Sequence, residues 1–217
     1  MSTKYQFAGP IFRHFPKEEY ALDFSIIGKI RVSTLKVCRE YEDHEQGDSG
    51  EGTLHYSHDP VTSHDPNWQE VARRLGMKIG AFDKGSITGC EKHTVIPNAY
   101  VLCLSYIQFD EELCGKFGKH CVQIKDLLFF GNLVYDALVE KFGGVSGRSA
   151  KVRYRDRAYR NLEQEPKEIA FIKPEHPFAK QVEYRMVFWC DPGHVYEPFF
   201  LDVPEVRTIC KYLGPLF

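Results

Sequence analysis

The stretch Lys180-Gln-Val-Glu-Tyr-Arg-Met-Val-Phe-Trp-Cys190 holds the side chains best suited to chemistry. Alternate residues of a strand share a face. Val182, Tyr184, Met186 and Phe188 therefore turn towards a core, while Gln181, Glu183 and Arg185 turn the other way. The polar triplet heads a strand whose remainder is apolar, which leaves Glu183 half-buried, and a half-buried carboxylate needs a partner. Two readings follow. Glu183 either pairs with Arg185 or another base as a structural contact, or faces a cleft as a catalytic group, with Gln181 positioning an acceptor.

A second constellation is Arg148-Ser-Ala-Lys-Val-Arg-Tyr-Arg-Asp-Arg-Ala-Tyr-Arg160, rich in arginine with tyrosines interleaved. Arginine forks grip phosphates and tyrosine rings stack on bases, as binders of single-stranded nucleic acid require. Strand alternation would put Arg153, Arg155 and Arg157 on one face, with Tyr154 and Arg160 extending the surface. The plainer reading is a solvated strand edge whose charge discourages aggregation. A contact with the acidic 40–51 segment is a third.

Other clusters offer less. His55, His58 and His64, with Asp59 and Asp65, match no familiar zinc spacing, and Cys90-Glu-Lys-His93 and His120-Cys121 add little, so no metal is expected. His120 cannot activate Cys121, because sequence neighbours on a strand point apart. The seven cysteines are scattered and several lie in apolar runs, which predicts reduced core thiols rather than disulfides. A net charge of −2 argues against wholesale coating of nucleic acid.

The elements that must position these groups read as follows. Strands are expected at 11–15, 29–35, 100–106, 121–124, 151–155, 169–172 and 181–190, with a last element near 205–213. Pro16 opens a helix over 17–27 that Gly28 stops, and Asn67–Leu75 is a short helix ended by Gly76. Asp126 to Phe142 is the clearest helix, with Leu127, Phe130, Val134, Leu138 and Phe142 on one face. Residues 40–66 are polar, acidic and punctuated by glycine, and read as a long loop or mobile flap; Gly144–Ala150 reads as flexible. No apolar run approaches the roughly 18–20 residues of a membrane span, and the first residues lack a signal-peptide pattern. The expectation is one cytoplasmic α+β domain over 1–217, with a split, mainly antiparallel sheet and flanking helices.

The order of blocks resembles the Arg–Ser–Glu type of the ADP-ribosyltransferase superfamily: an Arg or His on an early strand, a Ser on a middle strand, and Glu/Gln-x-Glu on a late one. Here these are Phe12-Arg13-His14-Phe15, Leu104-Ser105-Tyr106 and Gln181-Val182-Glu183. The same blocks resemble a broad set of bacterial proteins with a Gly-Lys-Ile-Arg-Val-Ser strand, a Leu-Ser strand and a closing Glu-Tyr-Arg strand. The resemblance implies NAD as a substrate, and Glu183 offsetting positive charge as the nicotinamide–ribose bond breaks. It implies that Arg13 holds the diphosphate or His14 a ribose hydroxyl; strand alternation lets only one of the two line the cleft. Ser105, or alternatively Ser33, would brace the site, and Tyr106 or Tyr184 would stack on nicotinamide. The implied activity is mono-ADP-ribosylation of a macromolecule, nucleic acid such as RNA being favoured over protein. The implied role is a toxin or phage-defence effector, with an antitoxin protein as a partner. The rival expectations are a non-enzymatic nucleic-acid- or protein-binding module built on 148–160, and a hydrolase of NAD or a nucleotide.

Overall fold

The computed structural model describes residues 9–41, 47–80 and 83–216. Its main sheet is built around β7 (Tyr100–Ser105), an apolar strand buried on both faces. On one side β7 pairs along its length with β13 (Glu183–Cys190), which pairs in turn with the edge strand β9 (Val145–Lys151), all antiparallel. On its other side β7 meets two strands. β2 (Lys29–Thr34) takes only the rungs Ser33↔Val101 and Thr34↔Tyr100, and carries β14 (Phe199–Asp202) beyond it. β1 (Ile11–Phe15) takes only Phe12↔Ser105, and carries β8 (His120–Ile124) and β15 (Cys210–Pro215). The sheet therefore forks at β7. This is the α+β class with a split antiparallel sheet that the sequence predicts.

One face of the sheet is sealed by α5 (Leu127–Phe142). Its residues Phe130, Val134 and Leu138 are fully buried against Ile11, Ile30, Leu102, Leu104, Ile124 and Met186. Each such side chain contributes about 1.5–3 kcal/mol by leaving water. Asp126 caps the helix by accepting from the Phe129 amide at 2.9 Å, which satisfies an otherwise orphaned donor. The other face has a smaller apolar cluster of Leu35, Ala99, Val101, Ala170, Phe171 and Val187, and towards the fork it turns polar.

The expected 17–27 helix is present as α1 (Glu18–Leu22) followed by a π-helical turn, and Gly28 stops it at φ 83°. A Cβ there would lie 2.2 Å from the Val203 carbonyl oxygen, so only glycine fits. α2 (Leu35–Glu40) follows β2, and α4 (Glu111–Phe117) precedes β8.

Two segments expected to lack regular structure have it. Within 40–66, leaving aside 42–46 outside the described residues, β3 (Thr53–His58) and β4 (Val61–Thr62) form. β3 is the centre of a three-stranded sheet with β6 (Cys90–Val95) and β11 (Ala158–Arg160), and β4 pairs with β5 (Ser86–Ile87). Alternate burial of Leu54 and Tyr56 drives this: they pack on Tyr159 while their neighbours face out. Gly144–Ala150 belongs almost wholly to β9. The expected strand at 151–155 shrinks to β10 (Arg153–Tyr154), parallel to β12 (Ile172–Lys173). α3 (Trp68–Leu75) ends at Gly76 as expected. Among the described residues no helix is long and apolar enough to cross a membrane.

Candidate functional site

Where β1 and β2 part, a cavity of about 270 Å³ opens beside β7, and its lining includes Arg13, His14, Ser33, Ser105, Gln181 and Glu183. The register explains the convergence. Phe12 opposes Ser105 on one side of β7 and Glu183 opposes Ser105 on the other. Residues directly opposite share a face. Phe12, Ser105 and Glu183 are thus one row across three strands drawn from the start, middle and end of the chain.

Arg13 and His14 both reach this cavity, which corrects the expectation that only one could. β1 stays paired with β8 along its length but leaves β7 after a single rung, and the long Arg13 side chain reaches the cavity through the gap this opens towards β2. The Arg13 guanidinium lies over the Phe15 and Phe24 rings at 5.5 and 5.2 Å. It spans the fork by donating Nη2 to the Arg31 carbonyl of β2 at 3.0 Å. Its Nη1 is shielded from solvent and has no hydrogen-bond partner. Burial, reinforced by the nearby Arg31 charge and partly countered by Cys103, lowers its pKa to about 10, so it stays cationic at neutral pH. His14 Nε2 bonds the Gln108 carbonyl at 3.0 Å, and burial pushes its pKa below the ordinary imidazole value.

Glu183 sits in a buried ladder of four charges. Its Oε1 accepts from Arg185 Nε at 2.7 Å and its Oε2 from Lys173 Nζ at 2.8 Å. The far side of Arg185 forks onto Glu51, Nη1 to Oε1 at 2.5 Å and Nη2 to Oε2 at 3.0 Å. The exposure of these four side chains runs from 1 to 6%, so solvent does not screen them. Burial alone would raise the Glu183 pKa; Arg185 and Lys173, together with hydrogen bonds from Arg185 and the Cys103 thiol, outweigh it and hold the group well below the usual carboxylate range. The structural pairing weighed from sequence is therefore real, and the same carboxylate also borders the cavity. The thiols beside it are held protonated: burial pushes Cys38 up to about 11 and Cys103 well above the ordinary thiol value.

Ser105 braces the neighbouring chain rather than Glu183 itself. Its Oγ donates to the Gln181 carbonyl at 2.7 Å and accepts from the Ile107 amide at 3.0 Å. Gln181 accepts from Lys173 Nζ at 3.2 Å through its side-chain oxygen. It lies on a 3₁₀ turn, not on the strand, because Val182 between it and Glu183 adopts φ 39°. A β-branched residue in the left-handed region is strained. Ser33 lines the same cavity from β2.

Tyr106 and Tyr184 are not in the cavity. They pack edge-to-face at 6.0 Å on the α5 side of the sheet, and Tyr184 Oη donates to Ser149. Tyr184 neighbours Glu183 on one strand, and strand neighbours point apart. The basic stretch is also broken up. Arg157 and Tyr159 are buried, Arg157 against Asp48, and Tyr154 Oη accepts from the Glu183 amide at 2.8 Å. Arg153 lies 3.7 Å from Glu168 and Arg160 3.7 Å from Asp59, while Arg155 is exposed. A turn separates β10 from β11, so Arg153, Arg155 and Arg157 share no common face.

Sequence reasoning misses Glu51 and Lys173. Lys173 closes the apolar run Ile169-Ala-Phe-Ile172, where a charge signals a buried partner; Glu51, between Gly50 and Gly52, gives no local signal. No protein-family model, curated protein or solved structure matches the chain.

Proposed function

We propose that the forked sheet is an NAD-dependent ADP-ribosyl transfer site. The observation that carries this is the row Phe12–Ser105–Glu183, with Arg13 in the crotch beside it, which gathers into one cavity the three blocks on which the family resemblance rests. The unpaired Nη1 of Arg13, with Arg31 exposed at the rim, supplies fixed positive charge and a free donor for diphosphate oxygens. Glu183 is ionised at neutral pH, the form that stabilises an oxocarbenium ion. A carboxylate has about four lone-pair sites, so its bonds to Arg185, Lys173 and Cys103 leave capacity for a ribose hydroxyl. In the reaction the bond from ribose C1′ to the nicotinamide nitrogen breaks and its electron pair leaves with neutral nicotinamide. The acceptor forms the new bond to C1′ and its proton passes to water.

The cavity lies just below the ~300–1,000 Å³ of typical ligand pockets, so it suits the nicotinamide–ribose end while the adenosine end lies outside. The exposed Arg155, with Arg148 and Arg153 sharing Glu168 beside it in sequence, favours a nucleic-acid acceptor, RNA included, over protein. A toxin or phage-defence role in the cytoplasm, checked by an antitoxin, belongs to the same reading.

The test is incubation with labelled NAD and total RNA, DNA or lysate. A labelled acceptor is expected, and Glu183→Gln and Arg13→Gln should each abolish the label while circular dichroism shows both variants folded. Free ADP-ribose without a labelled acceptor would make the protein a hydrolase instead. Full transfer by either folded variant would refute the site.

A further inference from the structure

On the three-stranded sheet, His55 of β3 stands directly opposite His93 of β6, and Ser57 directly opposite Glu91. Glu91 and His93 are two residues apart on one strand and so share a face, the same face as His55. The two imidazole rings stack at 4.2 Å with planes 14° apart. His55 Nε2 and Glu91 Oε2 face each other at 4.0 Å, too far for a hydrogen bond. That nitrogen is buried and has no hydrogen-bond partner. The three ligand atoms, one from each residue, all lie within 4.8 Å of one another.

We propose that His55, Glu91 and His93 bind a divalent transition-metal ion of the zinc class. Two imidazoles and a carboxylate form a donor set suited to zinc. With bonds of about 2.0–2.2 Å, a tetrahedral ion places its ligands about 3.3 Å apart. The observed spacing closes to that value by rotation of His93 and Glu91, whose side chains are exposed. His55 is held from behind, since Leu54 and Tyr56 on either side of it anchor β3 in the core beside Tyr159. The neighbour of His55 on β11 is the uncharged Ala158, and Arg160 two residues further is directed to Asp59, so β11 sets no cation against the orphaned nitrogen. The fourth position would take water. Sequence spacing shows no zinc signature because the ligands come from two strands and His58 and His64 take no part. The ion would clip β3 to β6, and its binding is independent of the NAD reading.

The chelator-stripped full-length chain is titrated with zinc chloride by calorimetry, and with cobalt(II) by absorption. One equivalent is expected to bind, with a cobalt spectrum free of thiolate charge-transfer bands. Glu91→Gln and His93→Ala, both at exposed positions, should each weaken zinc at least tenfold while circular dichroism is unchanged. One equivalent of zinc should raise the unfolding midpoint of the parent but not of the double variant. No binding by the parent, equal affinity in the double variant, or a thiolate band showing that cysteines hold the ion would each overturn the proposal.

Discussion

The Arg157 guanidinium donates Nη1 to Asp48 Oδ1 at 2.8 Å, joining residues 109 positions apart with side chains only 10 and 6% exposed. Two further bonds run from the same guanidinium to the Ile172 carbonyl. The central arginine of the most basic stretch is therefore an internal tie, and it fastens the turn that carries Glu51.

Removing one partner of a buried pair leaves an uncompensated charge, at a cost of about 3–5 kcal/mol. Arg157→Ala should lose that much in urea denaturation. Arg155→Ala, at an exposed position, should change stability by less than about 0.5 kcal/mol. If the surface contacts RNA, Arg155→Ala should instead weaken salt-sensitive binding, measured by filter retention.

Glu183 makes an acid-side prediction. Its folded pKa lies below the ordinary 4.5, so the unfolded chain takes up its proton first. The stability it confers is complete above that value and is lost as pH falls from about 5 downwards through the folded pKa. Denaturation midpoints between pH 6 and 3 should fall steeply in the parent and less steeply in Glu183→Gln, which begins destabilised by about 3–5 kcal/mol. Equal slopes would mean that the ladder does not hold the proton off.

For Arg13 the expectation is a split between binding and stability. The unpaired Nη1 gives nothing to the fold, and the carbonyl bond and two ring contacts make Arg13→Gln less stable than the parent by about 1–3 kcal/mol. A charge-assisted bond to phosphate contributes about 1.5–3 kcal/mol, which is roughly a 10- to 150-fold rise in Kd for NAD. Calorimetric titration of both proteins with NAD measures it.

Strain at Val182 predicts an unusual sign. A valine at φ 39° carries about 1–3 kcal/mol of strain, against about 0.5–1 kcal/mol for the added chain entropy of glycine. Val182→Gly should therefore leave the thermal midpoint unchanged or higher, although the same change in most strands lowers it. Gly28→Ala should lower it, because its Cβ collides with backbone.

Much of the fold can be read from the sequence, because local periodicity decides it. The apolar run at Tyr100, the stripe on α5 and the glycine stops at Gly28 and Gly76 each specify their own element. The polar strands are harder. Leu54 and Tyr56 do alternate, but acids, histidines and glycines around them mask the pattern. At the site, block order names Arg13, Ser105 and Glu183 as candidates, but their meeting follows only from the strand register. The roles of Glu51 and Lys173 do not, since each acts through a partner distant in sequence. Tyr184 shows the opposite case, where period two alone places the ring on the far face from Glu183.

The fork also sets when the site can exist. Its walls come from residues 12–14 at one end and 173–185 at the other, so a growing polypeptide lacks the cavity until its last third has left the ribosome. A chain interrupted before β13 holds Arg13 with no carboxylate opposite. Any activity built on this arrangement switches on only once residues 12 to 185 are joined in one chain, and fragments that separate the two ends would be inert.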